Sequence, residues 1–498
     1  MPASMLAVRR LFLRALALVY LVAFASLGVQ VQGLIGSKGI LPVTQLLSDV
    51  RATTGAERYW LLPTLVWLAD GDAFLSFLCW GGAALAVLLL LDVAPLPVLV
   101  LLWAFYLSLV HAGQIFLGYQ WDALLLETGL LAVLAAPLRL WPRAAPADAP
   151  PPGLAAFLLR LLLLRLMFGS GVVKLLSGDP TWRSLTALAV HYETQPIPAW
   201  TAWYAHQLPA WFQRLSCALM FGVELLVPLL ALGPRRARLA AFWPLVGFQA
   251  LIAATGNYAF FNLLSAALCL TLLDDAALPA RLRPVPALEG RARPRAWPRW
   301  ALWPVAAVLI AAAGAQLLLT FRVRPPALLL LPAQLLAPFA SVNRYGLFSV
   351  MTTRRPEIAV EGSDDGLAWR AYAFKWKPGD VRRAPSFVAP HQPRLDWQMW
   401  FAALASCESN PWFVRFLLRL REGSPPVLAL LEADPFAGRP PRFLRATLYD
   451  YRFTDAEDRR RAGAWWRRTE VGPYCPILGL AGRDLATDAR GGTWGPAP

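Results

Sequence analysis

Residues 154–176 read LAAFLLRLLLLRLMFGSGVVKLL. The run matches the roughly 20 residues that a helix needs to cross the hydrocarbon core of a bilayer, so it reads as a transmembrane span. It also carries Arg160, Arg165 and Lys174, which such a span tolerates only for a reason. Eight further apolar runs of similar length lie near 11–31, 73–91, 95–112, 122–140, 213–232, 238–255, 257–273 and 300–321. The first is not a cleaved signal: its apolar core is too long, and no small-x-small cleavage site follows. The fold class expected is therefore a polytopic α-helical membrane protein of about nine spans.

Composition agrees. Of the 498 residues, 57% are hydrophobic and only 16% charged, with a mean hydropathy of +0.47. That excludes a soluble globule. The net charge of +16 would suggest nucleic acid in a soluble protein. Here the arginines sit in short segments between apolar runs, where the positive-inside bias places them, so the partner expected is the bilayer and not nucleic acid.

With nine spans and a cytoplasmic N-terminus, the inner segments hold Arg9, Arg10, Arg139, Arg143, Arg235, Arg236, Arg238, Arg281, Arg283, Arg291, Arg293, Arg295 and Arg299. The outer loops at 32–72 and 177–212 mix Lys38, Arg51, Arg58 and Arg183 with Asp49, Glu57, Asp70, Asp72, Asp179 and Glu193. The chain after Phe321 is then exterior. PALLLLPAQLLAPFA at 326–340 would reverse this if it crossed the membrane; its prolines and shortness favour an interfacial segment.

Near residue 343 the composition shifts, which divides the chain into a membrane domain at 1–342, an exterior α+β domain at 343–481 and a disordered tail at 482–498. EIAVEGSDDGLAWRAYAFKW at 357–376 has a turn cluster between two strand-like runs, a hairpin pattern. RFLRATLYDYRF at 442–453 reads as a strand, and LDWQMWFAALAS and PWFVRFLLRLRE as helices. Cys79, Cys217 and Cys269 fall in spans as packing residues. Cys407 and Cys475 fall in the exterior domain, where a disulfide can persist. The sequence has no CxxC, Cys/His metal spacing, phosphate loop, GxSxG or HExxH, so no metal or cofactor is expected.

An unpaired charge at the bilayer centre costs roughly 3 kcal/mol or more. By depth, Arg165 matches Glu224, and Glu127 matches Lys174, giving two expected pairs. They serve either as glue between helices or as a transport or catalytic path. In the loop at 181–212, His191, Glu193 and His206 are acid–base candidates. They have no accompanying nucleophile, and the tryptophan content suits a loop lying on the bilayer surface.

FLGYQWDALLLETGLLA at 116–132, RLMFGSGVVKLLSGDPTWRSLTAL at 165–188, HYETQPIPAWTAWYAHQLP at 191–209, TGNYAFFNLL at 255–264, NRYGLFSVMTTRRPEIAVEGSDDG at 343–366 and FVAPHQPRLDWQMWFAAL at 387–404 resemble the lipase maturation factor family, in family order and over most of the chain. The resemblance implies an endoplasmic reticulum membrane protein with a lumenal C-terminal portion that helps secreted lipases fold and assemble. Two features depart from an animal member. Lysine occurs only at Lys38, Lys174, Lys375 and Lys377 against a large excess of arginine, and Asn257, Asn262, Asn343 and Asn410 form no glycosylation sequon. These point to a bacterial inner membrane with the exterior domain in the periplasm, and to an exported lipase or esterase as client.

In the exterior domain Trp397, Trp400 and Phe401 share a helical face. Either this face is core, or it is an exposed aromatic patch for a partly folded client, with Arg394 and Asp396 as its polar rim or as an internal ion pair. The function expected is a folding or maturation factor without catalytic residues. The rivals are a membrane enzyme distantly like vitamin K-dependent carboxylases, with Lys174, His191 and Glu193 as acid–base groups, and a transporter using the level of Arg165 and Glu224.

Overall fold

The computed structural model describes residues 5–140, 149–283 and 297–479. The nine apolar runs all form helices. In chain order these are α1 (Leu6–Gly28), α2 (Asp72–Leu90), α3 (Pro95–Ala112), α4 (Gln120–Ala135) and α5 (Gly153–Leu176), followed by two short helices, α6 (Ala187–Thr194) and α7 (Trp200–His206), and then α8 (Ala210–Leu225), α9 (Arg235–Thr255), α10 (Phe261–Cys269) and α11 (Arg299–Thr320). Among the described residues seven, not nine, are long and apolar enough to span a bilayer: α1, α2, α3, α5, α8 with its 3-10 extension to Leu232, α9 and α11. The two shortfalls have local causes. The run at 122–140 stops at Ala135 because Pro137 holds Ala136 in extended conformation. The run at 257–273 loses its first turn, since Gly256 is bridged to Pro198 and Ala259 adopts φ +50°.

The starts of α1 and α9 and the end of α10 meet at one end of the bundle. The Asp275 carboxylate accepts the N–H groups of Leu6 and Val8 at 2.8 and 3.0 Å, capping donors that have no intrahelical partner. Next to it Asp274 pairs with Arg235, and Arg9 donates to the Ala149 carbonyl. Of the other arginines expected on this side, Arg143, Arg291, Arg293 and Arg295 lie outside the described residues. At the heart of the bundle Gly129 is required: a Cβ there would fall on the Tyr20 hydroxyl.

Residues 326–340 form α12 (Ala327–Leu336) and a 3-10 turn at Ala337–Phe339. This is too short to span. It packs along α11, and the Phe339 ring contacts Trp60 and Trp103.

Beyond it lies a mixed α/β unit: β1 (Arg355–Ser363), β2 (Arg370–Ala371), α13 (Arg394–Ala403), α14 (Pro411–Arg421), β3 (Phe443–Phe453), α15 (Ala456–Ala462) and β4 (Trp466–Leu478). The strands form one antiparallel sheet in the order β2-β1-β3-β4. Asp365 closes the β1–β2 turn by accepting the N–H groups of Leu367 and Ala368, both at 2.8 Å. On one face Ile358, Val360, Leu444 and Ala446 are buried, with α13 against β1 and α14 against β3. Helix α14 supplies Trp412, Phe413, Phe416, Leu417 and Leu420 from a single stripe. Cys407, after α13, is disulfide-bonded to Cys475 in β4 with a Cα separation of 5.5 Å. Cys79, Cys217 and Cys269 are free and buried. The tail at 482–498 lies outside the described residues.

Candidate functional site

Residues 386–401, SFVAPHQPRLDWQMWF, run along the end of the bundle that carries the sheet. Asn257 holds the first part: its Oδ1 accepts the N–H groups of Val388 and Ala389 at 2.7 and 3.0 Å, and its Nδ2 donates to the Ser386 carbonyl. The end of α1 holds the next part. Ser26 Oγ lies 2.9 Å from His391 Nδ1 and accepts Gln392 N–H, while Gln30 donates to the Gln392 carbonyl and accepts Arg394 N–H. Arg394 then reaches Asp122 in the first turn of α4 with two bonds of 2.6 and 2.8 Å, and Tyr106 of α3 donates to the same carboxylate.

Of the two readings of this face, the structure shows the interior one, and the exposed client patch is not formed. Arg394, Asp396, Trp397 and Trp400 are 1–7% exposed. Trp397 packs on Trp121 and Tyr119, and Trp400 donates to the Thr194 carbonyl. Only Phe401, at 41%, faces outward. Arg394 and Asp396 form neither a rim nor an ion pair with each other. Two residues apart on a helix, they point in different directions, and Asp396 instead accepts the N–H groups of Trp376 and Lys377, both at 2.9 Å.

A second seam joins the loop before α8 to the sheet. Fully buried Arg355 donates to the carbonyls of Glu193, Gln195 and Pro196 and to Glu357, and Lys377 pairs with Glu357 at 2.8 Å. Glu193 accepts from Arg452 at 2.7 Å and from the Phe453 N–H at 3.0 Å. Burial pushes the His206 imidazole below its ordinary pKa, while Glu193, 3.9 Å away, pulls it back up. On the neighbouring helix α6, His191 is bonded to Tyr258, and its pKa is lowered to about 4 by burial and by the Lys174 charge. Lys174, His191 and Glu193, the acid–base candidates, thus each bind a different partner. Among the described residues no group of three or more His, Cys, Asp or Glu is arranged to hold a metal ion.

Glu127, Arg165, Lys174 and Glu224, the charges expected to pair within the bundle, are buried and paired, with partners exchanged relative to expectation. Arg165 binds Glu127 at 2.6 Å and Lys174 binds Glu224 at 2.8 Å. Depth did not decide this. Arg165 and Lys174 are nine residues apart on α5, and at about 100° per residue they leave the helix on opposite sides, one toward α4 and one toward α8. Glu127 also accepts from Tyr345 and from the backbone and side chain of Asn343, so it fastens the entry to the sheet.

A cleft of about 540 Å³ opens between β1 and residues 371–383 of the mixed unit, with Ala359, Ala373 and Tyr451 in its lining and Arg383, Glu432 and Arg468 among its charged residues. No residue singled out from the sequence lines it, because the departure of chain 372–381 from β1 leaves no mark in local composition.

Two family models match this chain. One, described as the lipase maturation factor transmembrane domain, covers residues 7–280, and one described as the lipase maturation factor C-terminal domain covers 341–476. The chain is 38% identical to lipase maturation factor 2 of Gallus gallus over 95% of this chain and 81% of that protein. To lipase maturation factor 2 of Homo sapiens it is 37% identical, over 97% and 84%. To lipase maturation factor 1 of Bos taurus it is 36% identical, over 94% and 88%. No solved structure matches.

Proposed function

The chain belongs to the lipase maturation factor family, and from that premise we propose that it is a membrane-embedded folding factor for an exported lipase or esterase. The observation that carries the reading is that the similarity runs through both portions, and that the two are fastened together by the buried Arg394–Asp122 pair and, at the second seam, by Glu193 with the partly exposed Arg452. The mixed unit is held in a fixed pose above the helices and offers its cleft and outer surface to a client, with the boundary between the two portions near residue 343. No residue is assigned a catalytic role. The scarcity of lysine and the lack of sequons favour a bacterial inner membrane, with the sheet facing the periplasm.

Crosslinking of the tagged protein in its native membrane, followed by affinity capture, tests the client. Recovery of an exported lipase or esterase, with loss of its secreted activity when the gene is deleted, supports the reading. Unchanged lipase secretion in the deletion strain counts against it. Orientation is tested by a reporter active only in the periplasm: fused after Arg421 it is active, and fused after Arg238, at the end of the bundle where α1 starts and Arg235 pairs with Asp274, it is silent. Reversed activities would place the sheet on the other side.

A further inference from the structure

Helix α7 sits between the ends of two spans. Thr201 on α7 donates to the Ala254 carbonyl at the end of α9, and Gln213 in the first turn of α8 donates to the Ala205 carbonyl of α7 at 2.6 Å. Around this point large aromatic side chains face outward: Trp200 is 44% exposed, Tyr204 48%, Trp211 66% and Phe212 39%. The mixed unit adds to the same surface. Phe387, 45% exposed, meets Trp200 edge-on at 5.8 Å. Arg459 of α15 donates to the Tyr204 hydroxyl at 2.9 Å and lies 3.6 Å from the Trp465 ring centre.

We propose that this aromatic shelf is a lipid-contact surface, through which the mixed unit rests on the phospholipid headgroup layer of the leaflet beside it. Three features favour lipid over a protein occupant. The patch is continuous with the first turn of a spanning helix, so its height is that of the span ends. Its composition is the Trp/Tyr type that prefers the interface, where an apolar ring and a polar tip are both satisfied. Helix α15 stands next to it and carries Arg459 and Arg460, cations for headgroup phosphates, while its Arg461 is paired with Glu457 and Asp458. The sheet is then positioned by the bilayer as well as by the buried seams, and this holds whichever compartment it faces.

The test uses the full chain in phospholipid nanodiscs. Cys79, Cys217 and Cys269 are buried and the other two cysteines are joined, so a single introduced cysteine takes a nitroxide label. At Phe387→Cys the ratio of oxygen to nickel-complex accessibility should be severalfold higher than at Leu367→Cys on the β1–β2 turn, which is 85% exposed, and should approach that at Leu215→Cys on α8. If Phe387→Cys fails to fold, Ala462→Cys at the end of α15 reads the same surface without touching an aromatic contact. A ratio equal to that at Leu367 overturns the proposal and leaves the patch to a protein partner.

Discussion

Arg394 and Asp122, 272 residues apart, form a two-bond ion pair with side chains 1% and 0% exposed. Geometry of this kind is strong in place but leaves a costly orphan when one member is lost. Asp122→Asn or Arg394→Met alone should destabilise the protein by about 3–5 kcal/mol. Asp122→Leu combined with Arg394→Met should recover a large part of that loss. Thermal unfolding in detergent decides, and losses that simply add in the double variant would mean that the pair does not couple the two portions.

The sequence marks residues 386–401 as unusual by its aromatics, prolines and Arg/Asp pair, but not what they touch. Helix periodicity shows that Trp397 and Trp400 share a face, yet an interior face and a docking face have the same pattern. Contacts with residues far away in the chain make it interior: Asn257, Ser26 and Gln30 hold the segment before the helix, and Tyr119, Trp121 and Thr194 meet Trp397 and Trp400. The helices themselves were legible because length and hydropathy are local. Where a helix stops was less so, as Ala135 before Pro137 illustrates. The exchange of charge partners was readable in principle: the nine-residue spacing of Arg165 and Lys174 fixes opposite directions, and counting depth alone overlooks it.

That exchange gives a second prediction. Within Glu127 and Arg165, and within Lys174 and Glu224, each single change to Leu should lower the amount of folded protein recovered from membranes. Each matched double change should restore much of it, because no charge is left unmatched in a water-poor interior. The crossed double, Arg165→Leu with Glu224→Leu, should lose more than either single. Rescue in the crossed double would show that the partners are those suggested by depth.

A third prediction concerns acid. His391, at the α1 seam, has a pKa lowered to about 4 by burial, with Arg394 and Lys375 adding repulsion. The unfolded chain binds this proton near the ordinary value of 6.5, so between pH 6.5 and 4 the unfolded state holds more protons. The contribution of neutral His391 is present above this window and is lost as pH falls through it. His391→Gln should therefore show a shallower decline in thermal midpoint over the same range. Parallel curves for the two proteins would remove His391 from the acid response.

The last prediction rests on the Cys407–Cys475 bond, which closes a loop of 68 residues containing α14 and β3. In the chain-entropy model a closure of that size removes unfolded-state freedom worth about 4 kcal/mol, often less in practice. The mixed unit has a second source of stability, since Leu444, Ala446 and Phe413 are buried beside the bond and the seams to the helices do not involve it. Cys407→Ser with Cys475→Ser should therefore still fold, but with a lower thermal midpoint. Non-reducing peptide mapping of the wild type, with free thiols blocked during lysis, should recover both cysteines in one linked peptide pair. Recovery as two blocked single peptides would leave the unit to its apolar core and its anchorage on the bundle.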